Sequence, residues 1–420
     1  MWYSRPPSRG LPGFAPEAVT GSQDQRCCLQ MTRIALAVVL VVAACSSSSA
    51  PTALSSPSAT LTPSPAALEG DLPVWVELNN PPASTEFAGG FVHFPGGLFR
   101  RDPHADMLRD TSVPNVVRTK TPDQPYLYAG EGSPVQSVQV TYDRVVGRWL
   151  PVNQTQVAAD GLQYAYIDYE SGSATPQRVH IVNIRSASDE VVYRAPGTPV
   201  LALLGLVDQN IYLADCQPSE VSGNCWGPLW RVDATTGSMT LVSDHRGSWV
   251  INGRSAWVVT CWPAEDPVPC FGSYDKPEQN QLLRLDLVSG NQEAWDRGSI
   301  VVGEYSGDNI HMLGFDIDGK PVVSVNFASQ HDLTAPYGAG GESVVFRLTA
   351  PEHSERLFSV PINISWAGFY AATADRVGIW LQASYVPPGN QTSVLYLYSK
   401  ASGGREMSPD FWAVLAGPFG

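Results

Sequence analysis

The stretch from Leu213 to Gly290 holds one unit written twice in succession, and this duplication constrains the fold more than any other feature of the chain. In the first copy the apolar run Ile211-Tyr212-Leu213-Ala214 leads into Cys216. Cys225 follows after eight residues, and Leu229-Trp230-Arg231-Val232-Asp233 is closed by Gly237. In the second copy Ala256-Trp257-Val258-Val259-Thr260 leads into Cys261. Cys270 again follows after eight residues, and Leu282-Leu283-Arg284-Leu285-Asp286 is closed by Gly290. Short runs rich in β-branched and aromatic residues between turn formers are strand signals. Each copy therefore reads as two strands joined by a long loop, with a tight turn after the second strand.

The end of this unit, an apolar strand finishing in Asp with Gly four residues later, serves as a ruler. Asp143 with Gly147, Asp233 with Gly237 and Asp286 with Gly290 fit it fully, while Asn183, Thr349 and Ser399 occupy the equivalent place less well. The successive intervals are 40, 50, 53, 63 and 50 residues, each with room for four short strands. Four strands per unit at a period of about 40 to 50 residues is the signature of a β-propeller. The expectation is an all-β body, one β-propeller of six blades with four antiparallel strands each. Residues from about Phe87 to Val146, together with the C-terminal strand Trp412-Ala413-Val414-Leu415-Ala416, would make the sixth blade and leave no open sheet edge. The alternatives are a seven-bladed ring that also uses Pro73 to Leu78, and a pair of packed β-sandwiches. The segment Val157-Ala158-Ala159-Asp160-Gly161-Leu162-Gln163-Tyr164-Ala165-Tyr166 resembles the Asp-Gly turn before an aromatic strand in TolB-type and other WD40-like propellers, which implies the same ring.

Ahead of the repeats the chain carries an address. Residues 1–30 show no hydrophobic periodicity and read as an extension, with Met31 as the true start. Thr32-Arg33 is a short basic region, and Ile34 to Ala44 is an apolar run too short to span a bilayer, which takes about 20 residues. Residues 31–44 thus read as a signal peptide. Val42-Ala43-Ala44-Cys45 resembles a bacterial lipobox, in which Cys45 is lipidated and becomes the mature N-terminus; an ordinary signal peptide is the alternative. Residues 45–69 are a Ser/Ala/Pro/Thr linker that cannot bury enough apolar surface to fold. Some 22 residues of it would reach on the order of 70 Å if extended. The propeller domain is placed at 70–420, with the protein at the outer side of a bacterial membrane.

Composition excludes some partners. The chain has a formal net charge of −14; the residues before Cys45 hold four arginines against two acids, so the mature part carries −16. Such a surface repels phosphate backbones, and nucleic acid is excluded as a partner. Of seven cysteines, Cys27 and Cys28 precede the signal and Cys45 is taken by lipid. The remaining four form two equally spaced pairs, read as disulfides Cys216–Cys225 and Cys261–Cys270, with metal binding as the rival.

In a four-stranded blade the A–B and C–D turns emerge on one face and the B–C and D–A connections on the other. The Asp-to-Gly turns are C–D turns and short. The B–C loops are long and crowd the opposite rim, where Trp226, Trp262, Tyr274, Tyr337 and Tyr385 stand with Asp266 and Asp275 as candidate ligand-binding residues. Rings give flat apolar area and carboxylates accept hydrogen bonds, which suits a sugar or a peptide. Alternatively, the rings fold back on their own loops. No Gly-x-Ser-x-Gly, His-Glu-x-x-His or Gly-x-x-x-x-Gly-Lys motif occurs. Asp316-Ile317-Asp318-Gly319 reads as a hairpin turn rather than a calcium loop, and no cofactor, metal or catalytic residue is assigned. The function expected is recognition of a glycan, peptide or envelope protein by a membrane-tethered monomer. A propeller hydrolase or lyase and a scaffold that binds nothing small are the alternatives.

Overall fold

The structure, a computed structural model, describes residues 68–80, 84–106, 109–114, 116, 140–169, 177–195, 200–216, 227–261, 280–297, 300–302, 305–306, 310–327, 341–362, 367–385, 392–407 and 412–420. These belong to one unit, Thr62–Gly420. Strands β1 (Gly70–Asn80), β2 (Ser84–Phe94) and β3 (Leu98–Arg101) form an antiparallel sheet. Next come the hairpin β4 (Thr141–Asp143) with β5 (Arg148–Leu150), and the sheet β6 (Gln163–Tyr169), β7 (Gln177–Asn183) and β8 (Ser188–Ala195). A seven-stranded run follows: β9 (Val200–Val207), β10 (Asn210–Cys216), β11 (Gly227–Asp233), β12 (Met239–Asn252), β13 (Ser255–Cys261), β14 (Asn280–Asp286) and β15 (Gln292–Asp296). A small pair, β16 (Val301–Val302) and β17 (Tyr305–Ser306), leads to β18 (His311–Phe315), β19 (Pro321–Phe327), β20 (Gly341–Ala350) and β21 (His353–Ile362). The last sheet is β22 (Ala367–Ala374), β23 (Ile379–Tyr385), β24 (Thr392–Ser399) and β25 (Gly403–Glu406), after which β26 (Trp412–Leu415) ends the chain. Among the described residues no helix is long and apolar enough to cross a membrane.

Three pairings identify the body as a β-propeller. The first half of β12 pairs with β11 and the second half with β13, so one strand is the outer strand of one blade and the inner strand of the next. Inner strands β18 and β22 of neighbouring blades touch in parallel at Gly314 and Ala372, where a side chain on Gly314 would lie 2.1 Å from the Ala372 carbonyl oxygen. Finally, β26 pairs antiparallel with β1 through Val74 to Glu77, so the two ends of the body share a sheet. The expected closure by the C-terminal strand is found, with its partner strand starting at Gly70 rather than near Phe87.

Blades stack face to face, so middle strands are buried on both sides and read as continuous apolar runs rather than alternating ones. Ile211 and Leu213 pack with Ala165, Ile167 and Val179 of the preceding blade, whereas Tyr212 and Ala214 pack with Trp249, Val258 and Leu283 of the next. The ruler turns are built as their sequence requires. The Asp286 carboxylate accepts the N–H groups of Val288 (3.0 Å) and Ser289 (2.7 Å), the Gly290 N–H returns to the Asp286 carbonyl, and Gly290 takes φ 73°. Asp143, Asp233 and Asn183 accept the corresponding pair of N–H groups through one side-chain oxygen, with Gly147, Gly237 and Ala187 in the left-handed position. Among the described residues the C–D hairpins number seven, one more than the ruler marks, because β2–β3 turns through Pro95-Gly96-Gly97 without an Asp. Pro73 to Leu78, the segment a seven-bladed ring would also use, lies in β1.

Candidate functional site

The B–C connections leave from the ends of β6, β10, β13, β19 and β23 and return at the starts of β7, β11, β14, β20 and β24, all on one rim. Cys216, Cys261 and Tyr385 are the last residues of β10, β13 and β23, at the strand ends from which these connections leave. Trp226, Trp262, Asp266, Cys225, Cys270, Tyr274, Asp275 and Tyr337 lie outside the described residues, as does Cys45. Asp316-Ile317-Asp318-Gly319 is the A–B turn between β18 and β19. One Asp316 oxygen accepts the N–H groups of Asp318 (3.0 Å) and Lys320 (2.7 Å), and the other pairs with Arg347.

Where the strands reach this rim they carry polar side chains that sequence reading did not single out. Asp168 pairs with Arg178 across β6 and β7, Gln177 accepts the Leu201 N–H at 2.9 Å, and the Thr260 hydroxyl donates to the Arg246 carbonyl at 2.9 Å. Three buried groups keep atoms without a hydrogen-bond partner: Asp215 Oδ1 near the end of β10, Asn326 Oδ1 near the end of β19, and Ser343 Oγ opposite it on β20. Ser324 Oγ, two residues before Asn326 on the same face, is also unpaired. Burial pushes the Asp215 carboxyl above the usual carboxylate range, and the Trp230 indole N–H and the Arg246 charge act the other way. Opposing Asp215 is Gly227, where a side chain would meet the Asp215 carbonyl oxygen at 2.4 Å. A buried carboxylate oxygen left without a donor is energetically unfavourable. A bound hydroxyl or N–H group offsets that.

A second polar cluster lies deeper, on the face of β6–β7–β8 turned toward β4–β5. Asp189 accepts the Tyr166 hydroxyl at 2.8 Å and contacts His180 Nδ1 at 2.9 Å, and the imidazole stacks on the Tyr166 ring at 4.3 Å between centroids. His180 Nε2 is buried without a partner. Beside it Asp110 accepts both Arg148 and the Tyr164 hydroxyl at 2.8 Å, and burial with the neighbouring Asp110 charge raises the Tyr164 phenol far above its ordinary range. Asp110 is fully satisfied, since its other oxygen takes the Ser112 and Val113 N–H groups.

Fold and rim together define a β-propeller with its short turns on one face and its long connections on the other. No protein-family model and no curated protein matches the chain. Solved structures similar to it include TolB from Acinetobacter baumannii, at 11% identity and a TM-score of 0.42 over 83% of this chain and 67% of that one. Also similar are a structure of two prolyl endopeptidases (11% identity, TM-score 0.42, 82% of this chain and 50% of that one) and an oligogalacturonate lyase in complex with manganese (13%, 0.38, 59% and 62%). The chain thus spans less than two thirds of the length of the endopeptidase and of the lyase.

Proposed function

We propose that this chain is a binding propeller, held to the outer side of a bacterial membrane by lipid on Cys45, that recognises a glycan or a peptide through its long-loop rim. The unpaired Asp215 oxygen, buried where the connection between β10 and β11 begins, carries this reading. With Asn326 Oδ1 and Ser343 Oγ it presents acceptors, and acceptors call for a ligand rich in hydroxyl or N–H groups. Trp226 and Trp262, in the adjoining connections, supply the rings on which a sugar or a peptide side chain stacks. A hydrolase or lyase reading would draw on the Asp189–His180 pair, whose geometry fixes one imidazole nitrogen and leaves the other free. That imidazole is buried between blades and capped by Tyr166, which favours binding over catalysis.

The test is a binding screen of the full chain against cell-wall glycans, oligosaccharides and peptides, with Asp215→Asn and the Trp226→Ala, Trp262→Ala pair alongside. A ligand of the rim should lose about tenfold in affinity in Asp215→Asn, the worth of one hydrogen bond to a charged group. A ligand bound equally by both variants would place recognition elsewhere, and no binding at all would leave the scaffold reading.

A further inference from the structure

Among the described residues five large apolar side chains stand well exposed: Leu98 (68%), Val145 (70%), Val288 (72%), Ile317 (69%) and Leu241 (51%). Single exposed apolar residues are ordinary on a protein surface. Here four of them share one face of the ring. Leu98 follows the β2–β3 turn, Val145 and Val288 sit in the β4–β5 and β14–β15 turns, and Ile317 sits in the β18–β19 turn. Val145, Val288 and Ile317 therefore sit in A–B or C–D turns, at positions where Gly, Asn, Asp and Ser are favoured, and Leu98 directly follows such a turn, all on one common face.

Both ends of the described body reach this same face. The strand β1 begins there, and the Asp71 N–H donates to the Gly420 carbonyl at 3.0 Å while the Gly420 N–H donates back at 3.2 Å. The linker from Cys45 therefore joins the propeller on the side that carries the apolar tips, opposite the long-loop rim.

We propose that the tight-turn face rests against a lipid bilayer, with Leu98, Val145, Val288 and Ile317 entering the boundary between head groups and acyl chains and the long-loop rim turned away from it. This deepens the reading of a lipid-anchored binding propeller and rests on the anchor at Cys45. The anchor keeps the face near the membrane, and the tips select one orientation among those the linker permits.

The experiment is hydroxyl-radical labelling of the full-length lipidated protein on vesicles of phosphatidylethanolamine and phosphatidylglycerol, compared with the Cys45→Ser chain free in solution. Leu241, on the outer strand β12, is the internal reference. Labelling of the four tips should fall at least about threefold on vesicles while Leu241 stays within about twofold, the contrast expected for burial of one face at a membrane. Unchanged tips on a vesicle-bound protein, or an equal fall at Leu241, overturn the orientation and leave the anchor standing. If the Cys45→Ser chain floats with vesicles and shows protected tips, the face stands and the lipid anchor falls. If neither form floats, both fall.

Discussion

Asp215 and Asp286 show how position sets the behaviour of one residue type. Asp286 is exposed in a C–D turn, where backbone N–H groups of Ser289 and Val288 and the Ser289 hydroxyl hold its carboxyl below the usual range. A depressed carboxylate stabilises the fold above the ordinary Asp value, and that contribution is lost as pH falls through the folded value. Asp215 has the opposite sign. Burial raises it, so its charged form opposes folding, and the opposition grows as pH rises from the ordinary Asp value through the raised one. Asp215→Asn should accordingly be more stable than the natural protein at pH 7, by about 1 kcal/mol on the scale of a buried polar group without its partner. The gap should narrow toward pH 4; urea denaturation at the two pH values checks this, and a variant less stable at pH 7 would remove Asp215 as a group kept for a ligand. The sequence could mark Asp286, because Asp followed by Gly four residues on is local turn chemistry. It could not mark Asp215, whose burial depends on how the strands around it pack.

At the scale of strands the same division holds. Runs such as Ala256-Trp257-Val258-Val259-Thr260 were legible because β-branched and aromatic residues between turn formers describe a strand without reference to anything distant. The hairpin of β2 and β3 was not, since Pro95-Gly96-Gly97 replaces the Asp and shifts the glycine. Nor was the start of β1, which follows directly on the Ser/Pro-rich linker. Closure was legible in outline only: Trp412 to Ala416 reads as a strand in search of a sheet, but its partner is fixed by register over the whole ring. Phe419 then locks the joint, packing against Phe94 and Trp380 at 6.0 and 5.8 Å between centroids. Phe419→Ala should lower stability by about 3 kcal/mol, as for a large buried aromatic. Ending the chain after Asp410 should do more, because it exposes the β1 edge and invites association between copies. Denaturation and sedimentation measure the two effects, and a truncated chain as stable and monomeric as the parent would mean that β26 does not close the ring.

For the whole molecule, the arrangement of connections matters more than any single strand. Tight turns take up one face, so the sequence length left over in each repeat is spent on the B–C connections of the other. Two of these, on adjacent blades, begin at Cys216 and Cys261 and carry Cys225 and Cys270 after eight intervening residues. A loop that is to present Trp226 or Trp262 to a ligand loses less entropy on binding if it is already tied down. Closing a loop of about ten residues by a disulfide contributes roughly 2.5 to 3 kcal/mol in the chain-entropy model. We therefore expect protein made in an oxidising compartment to show no free thiol when denatured, Cys45 being taken by lipid. Reduction should lower stability by about that amount per loop and weaken any rim ligand, while the strands keep their circular dichroism. Thiol titration decides it: two or more free thiols in the mature protein would mean that the rim loops are not stapled, and recognition would have to rely on loops ordered only by the ligand itself.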